Sequence, residues 1–170
     1  MEKLKFLINN YIDFPKKGIE FKDLLGILHE PDLFKELIHK MSESEIIKNS
    51  EAIVSVDARG FIFGSAISLY SSKPMLVARK PGKLPGELEE EKYNLEYGKD
   101  SLSIQKMYLN KYEKFAIVDD LLATGGTAEC VAKMIKKNNK KVLGLITVVE
   151  LFNLKGRNKL DFPVDSMILI

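Results

Sequence analysis

Hydrophobic and polar positions along the chain repeat with two different periods. Leu4, Leu7, Ile8 and Tyr11 fall on one face of a short N-terminal helix. Leu33, Phe34, Leu37, Ile38 and Met41 form the apolar stripe of a second helix, which Pro31 starts well. Between them, residues 13–24 (DFPKKGIEFKDL) are punctuated by Pro15 and Gly18 and read as a loop. Short runs rich in Val and Ile follow. Residues 52–60 (AIVSVDARG) read as a strand and a turn, 61–70 as a helix packed on a sheet, and 74–79 (PMLVAR) as the next strand. Residues 115–118 and 141–150 supply two more buried strands, with a helix over 128–137 between them. Strands alternating with helices predict an α/β fold, with a mostly parallel central sheet flanked by helices.

One stretch breaks this pattern. Residues 80–101 are polar and carry Pro81, Gly82, Pro85, Gly86 and Gly98, so they read as a long, flexible lid or binding loop. A hairpin with residues 101–105 is expected at its end, because Leu102 and Ile104 alternate with polar neighbours. The acidic run ELEEEK within it reads as a solvated excursion.

Length and charge narrow the class. A chain of 170 residues is expected to form one domain with a proper core. Its 26 basic and 24 acidic residues leave a net charge of +2, which favours neither a nucleic-acid surface nor a membrane. The N-terminus lacks the apolar core and cleavage site of a signal peptide. The single Cys130 cannot form an internal disulfide, which suits the cytoplasm, and it reads as a small buried hydrophobe. His29 and His39 are the only histidines, so neither a Cys/His metal cluster nor a histidine triad can be assembled. Any chemistry must run on carboxylates, Lys, Arg and backbone groups.

The candidate chemistry leaves the carboxyl ends of three strands, where open α/β sheets bind their ligands. Asp119 and Asp120 precede Ala123, Thr124, Gly125, Gly126 and Thr127, a turn entering a helix. Such a turn lets the backbone approach a ligand, and unpaired N–H groups at a helix start favour phosphate. Neither the P-loop nor the dinucleotide fingerprint is present, and carboxylates directly beside a phosphate would repel it. One sugar-length away, they would instead accept hydrogen bonds from ribose hydroxyls, or face a cationic centre or a metal. An ordinary strand-to-helix turn with an Asp cap is the plainer alternative. Arg59, beside Asp57 and Ala58, together with Arg79, Lys80 and Lys83, makes a positive cluster suited to a di-anionic group, although each cation singly reads as surface charge. Phosphate at both ends of one sugar describes a 5-phosphoribosyl pyrophosphate.

VDDLLATGGTA resembles the phosphoribosyl-pyrophosphate signature of the type I phosphoribosyltransferase family. DFPKKGIEFKDL, DARGFIFG, RKPGKLPG, LEYGKDSLSIQK and VVELFNLKGRNKL resemble, in order and spacing over residues 11–168, its adenine-using branch. The resemblance implies transfer of a phosphoribosyl group to adenine, giving AMP and pyrophosphate. It places the 5-phosphate on Ala123 to Thr127 and the ribose hydroxyls on Asp119 and Asp120. Pyrophosphate falls to Asp57, Ala58, Arg59, Arg79, Lys80 and Lys83, and the Asp57–Ala58 peptide is expected to be cis. Magnesium is implied as cofactor, held through pyrophosphate and ribose without a direct protein ligand. Phe21 and Leu151 sandwich the purine, main-chain groups of Glu20 and Lys22 read its edge, Glu96 is the general acid/base and Tyr97 closes the lid. Taken without the resemblance, Phe21 reads as a core aromatic and Glu96 as a solvated charge. The chain departs from the family's pattern at Lys22, often Arg, at Glu20, often apolar, and at Ala58, often Ser. A homodimer is also implied. The alternatives are a transferase for a 6-oxopurine and a non-catalytic domain that senses phosphoribosyl pyrophosphate.

Overall fold

Strands with apolar residues on both faces demand cover on both sides of their sheet. The computed structural model describes residues 2–95 and 98–170. Its elements run α1 (Glu2–Lys5), β1 (Asn9–Ile12), β2 (Glu20–Asp23), a 3-10 helix (Leu25–His29), α2 (Pro31–Ser42), α3 (Glu45–Asn49), β3 (Ala52–Val56) and α4 (Gly60–Ser71). They continue with β4 (Met75–Ala78), β5 (Leu88–Leu95), β6 (Gly98–Gln105), α5 (Lys106–Leu109), β7 (Lys114–Leu122), α6 (Gly126–Lys137) and β8 (Lys141–Glu150). Two 3-10 helices (Phe152–Leu154 and Gly156–Lys159) lead into β9 (Val164–Leu169).

Five strands form one sheet in the order β4-β3-β7-β8-β9, and every pairing in it is parallel. Ile53, Ala116, Val118, Ile146 and Val148 face a core closed by Leu37 and Met41 of α2 and by Phe63 and Ile67 of α4. Val54, Ile117 and Leu145 face the opposite core, closed by Val131, Met134 and Ile135 of α6 and by Leu102 and Ile104 of β6. Helix α2 starts with Pro31, carries Asp32 in its first turn and ends on His39 and Lys40, each favourable to the helix dipole. The predicted α/β architecture is therefore observed, including both covered faces.

Three segments differ from the sequence-based expectation. The N-terminal helix ends at Lys5, and Tyr11 lies exposed in β1. Asn9 and Asn10 are poor helix formers, and the ladder to β2, with Tyr11 opposite Phe21, gives this backbone better partners. The stretch over 13–24 is accordingly not all loop, since its second half is β2, paired antiparallel with β1 in a separate two-stranded ribbon. The hairpin expected at residues 101–105 is observed, but it takes in more of residues 80–101 than the loop reading allows. β5 and β6 pair along their whole length, from Leu88 opposite Gln105 to Leu95 opposite Gly98. This hairpin is docked on α6, where Lys137 pairs with Glu91 and Asn138 Nδ2 donates to Glu89 at 3.1 Å. The ELEEEK run is thus partly a docking edge rather than a free excursion. Strand β9 and helix α3 escape the periodicity reading, β9 because Asp165 and Ser166 dilute an edge strand whose only fully buried apolar residue is Ile168.

Candidate active site

Strand β7 runs on through Leu122, so Asp119 and Asp120 belong to its carboxyl end and not to a loop beyond it. Asp120 is buried, and Arg59 Nε lies 2.8 Å from its Oδ2, yet that oxygen receives no aligned hydrogen bond. Asp119 Oδ1 accepts the backbone N–H of Asp120 at 2.9 Å. Burial holds the Asp119 carboxyl well above the usual carboxylate range, and the neighbouring Asp120 charge raises it further. Burial also raises Asp120, against the opposing pull of Arg59. Gly60 begins α4 beside this pair, where a Cβ would stand 2.9 Å from Asp119 Oδ1.

The turn after the pair has the form its residues demand. Gly125 sits at φ +81°, a left-handed conformation suited to glycine, and no side chain caps the helix that follows. Helix α6 starts at Gly126, two residues earlier than the predicted 128, so Gly126 and Thr127 form its first turn. Their N–H groups lie at the positive end of a twelve-residue helix.

Two of the expected pyrophosphate cations already have acidic partners. Arg59 bridges Asp120 and the backbone carbonyl of Lys22, to which its Nη1 donates at 2.9 Å, and its guanidinium lies 4.8 Å from the Phe21 ring centroid. Arg79 Nε donates to Asp57 Oδ2 at 3.1 Å, and Arg79 exchanges backbone hydrogen bonds with Ser103 of β6. Lys80 and Lys83 are exposed on the connection between β4 and β5. The Asp57–Ala58 peptide is cis, as the resemblance implies, and Asp57 and Ala58 follow β3 directly.

A cavity of about 400 Å³ opens between β2, the turn after β7 and the segment after β8. Glu20, Phe21, Lys22, Arg59, Ala123, Thr124 and Leu151 all line it, so residues distant in sequence converge there. Phe14 supports Phe21 edge-on, with ring centroids 5.2 Å apart. Lys22 Nζ is held 2.6 Å from Glu20 Oε1, so the two departures from the family's pattern neutralise each other. Leu121 and Leu154 line the same cavity and were not anticipated. Leu121 follows the acidic pair directly, and Leu154 lies in the LKGR stretch. Glu96 and Tyr97 lie outside the described residues. A second cavity of about 310 Å³, beside β4 and Tyr108, is lined by none of the expected site residues.

The phosphoribosyl transferase domain family matches residues 25–170. An adenine phosphoribosyltransferase of Prochlorococcus marinus is 70% identical over 98% of this chain and 97% of its own length. The crystal structure of adenine phosphoribosyltransferase from Thermoanaerobacter pseudethanolicus superposes with a TM-score of 0.91 at 39% identity, covering 99% of both chains. The Saccharomyces cerevisiae enzyme, solved with adenine and an imino-altritol bisphosphate, has a TM-score of 0.85 at 35% identity, over 98% of this chain and 97% of its own. The likeness to these proteins spans nearly the whole length of the chain, and the chain belongs to the adenine phosphoribosyltransferase family.

Proposed function

We infer that the carboxyl edge of the sheet carries out purine salvage: the 5-phosphoribosyl group passes from phosphoribosyl pyrophosphate to adenine, giving AMP and pyrophosphate. The observation that carries this reading is the single cavity shared by Phe21, Leu151, Arg59 and the Ala123–Thr124 turn. Its volume suits a purine joined to a sugar phosphate. The C1–oxygen bond to pyrophosphate breaks with its electrons leaving on pyrophosphate. Purine N9 closes on C1 as its own proton departs. Main-chain N–H groups and hydroxyls over residues 123–127 hold the 5-phosphate, and Asp119 and Asp120 take the ribose hydroxyls and face the positive charge that develops on the sugar. Asp57, Ala58, Arg59, Arg79, Lys80 and Lys83 hold pyrophosphate, so Arg59 and Arg79 exchange their present carboxylate partners for it. Phe21 and Leu151 sandwich adenine, and the backbone of Glu20 and Lys22 reads its edge. Glu96, hydrogen-bonded to N7, assists the loss of the N9 proton to an oxygen of the departing pyrophosphate, and Tyr97 closes over the site to exclude water.

Magnesium fits this donor set. Among the described residues no group of three or more acidic, His or Cys side chains is placed to hold a metal, whereas Mg²⁺ readily takes substrate phosphate oxygens and keeps several waters. Pyrophosphate and ribose oxygens would hold it, with Asp119 and Asp120 fixing the ribose. Bound there, it offsets charge on the departing pyrophosphate. The homodimer and the cytoplasmic location belong to the same reading, and no helix among the described residues is long and apolar enough to cross a membrane.

A coupled assay of nucleotide formation with adenine, hypoxanthine, guanine, xanthine and 2,6-diaminopurine tests it. Adenine is expected to exceed every 6-oxopurine in kcat/KM by about 100-fold or more, because a site built for an amine leaves polar groups unpaired against an oxo group. A preferred 6-oxopurine would replace the base assignment. Tight phosphoribosyl pyrophosphate binding with no product from any base would point to a sensing domain.

A further inference from the structure

The segment after β8 carries a linkage that the reaction as described leaves unused. Glu150, the last residue of β8, has a side chain only 4% exposed, and it accepts two N–H groups from Arg157, at 3.1 and 2.6 Å. The hydroxyl of Ser166 donates to the same carboxylate at 2.7 Å, and Arg157 Nη1 donates to the carbonyl of Val164 at 2.7 Å. One guanidinium therefore ties the end of β8, strand β9 and the 3-10 helix Gly156–Lys159 together. A planar fork is required for this, and lysine cannot supply it.

What that 3-10 helix touches is the phosphate turn. A Cβ on Gly156 would collide with the carbonyl oxygen of Ala123 and stand 2.9 Å from the nitrogen of Gly125. In the other direction, a Cβ on Gly125 would stand 2.5 Å from the carbonyl oxygen of Gly156. The two backbones meet because neither glycine carries a side chain, and Gly125 is the residue that holds the turn's left-handed conformation. The position of the turn's amides is thus set against Gly156, and the position of Gly156 is set by its neighbour Arg157.

We propose that Arg157, acting through Gly156, is a positioning residue for the 5-phosphate turn. The proposal rests on the reading that residues 123–127 hold the 5-phosphate. Arg157 touches no substrate. It fixes where the turn's amides stand, and an ångström of displacement there is felt in phosphate affinity. The lowered pKa of Glu150, caused first by its hydrogen bonds from Arg157, agrees with a carboxylate kept ionised for this role.

The test is steady-state kinetics on Gly156→Ala, Arg157→Lys and Thr127→Ala, each with a thermal melt. Gly156→Ala and Arg157→Lys are expected to raise KM for phosphoribosyl pyrophosphate by about tenfold or more, because misplacing a binding group by an ångström has effects of this order. Both should leave kcat and KM for adenine within about threefold. Arg157→Lys keeps the charge and is the milder change, so it serves if Gly156→Ala fails to fold. A KM for phosphoribosyl pyrophosphate within about threefold of the parent in Arg157→Lys, or equal losses in all parameters alongside a lowered melt, would overturn the proposal. Thr127→Ala separates the two layers. If it raises that KM while the other variants do not, the turn holds the phosphate and the linkage is irrelevant. If it leaves the KM unchanged, the phosphate assignment fails and the positioning role fails with it.

Discussion

Two neighbouring carboxylates at a strand end, Asp120 buried and Asp119 half-buried, are a poor choice for stability. Burial raises both Asp119 and Asp120, so the folded chain keeps a proton at pH values where the unfolded chain has lost it. Between the usual carboxylate range and the raised value, the folded state binds more protons than the unfolded one. Stability therefore falls as pH rises through that window, and the cost is complete above it. Asp119→Asn is expected to melt higher than the parent at pH 7, with the gain vanishing below the usual carboxylate range. Asp120→Asn leaves Arg59 without its carboxylate, so a cooperative melt without that gain is expected. Both variants should lose about 100-fold or more in kcat/KM, the scale of a lost electrostatic contact to a developing charge. Melts at two pH values with kinetics check this, and an Asp119→Asn enzyme that is less stable at pH 7 yet active within about threefold would contradict it. At this scale the sequence was informative because DD and TGGT concentrate incompatible chemistry in a few neighbouring positions. It was silent on Gly156, whose contact with Ala123 and Gly125 is backbone to backbone and leaves no periodic trace. It was also silent on the present partners of Arg59, since a cluster of cations does not reveal which carboxylate each one meets.

At the scale of elements, the first strand of the hairpin, β5, is where charge concealed structure. Leu88, Tyr93 and Leu95 are separated by acidic and basic residues, and the prolines and glycines before them read as punctuation. An antiparallel pair with one solvated face produces that dilution. Leu102 and Ile104 are nevertheless fully buried beside α6, which anchors the second strand in the core. Ile104→Ala should cost about 2–5 kcal/mol, the range for removing a buried aliphatic side chain. The amides of residues 102–105 should exchange slowly with or without substrate, whatever the lid does. Fast exchange there in the parent protein would show that this strand lies outside the cooperative core. The parallel strands were legible for the opposite reason: burial on both faces leaves short Val/Ile runs that no solvated residue interrupts.

At the scale of the molecule, the parallel sheet delivers its chemistry to one edge and leaves the opposite edge to connections. Light scattering is expected to give twice the chain mass of 19.3 kDa at micromolar concentration. A lone 19.3 kDa species across that range would contradict the homodimer. This expectation came from resemblance, since periodicity reports which face of an element is buried within a chain and carries no signal for a partner.

The ribbon of β1 and β2 shares no strand pairing with the five-stranded sheet, yet it supplies Glu20, Phe21 and Lys22 to the cavity. It ends at Asp23, and the match to the phosphoribosyl transferase domain begins only at residue 25. One wall of the cavity therefore comes from outside the matched domain, while Arg59, Leu121, Ala123, Thr124, Leu151 and Leu154 line it from within. Substitutions at Glu20, Phe21 or Lys22 can reshape that wall without touching the buried strands of the sheet.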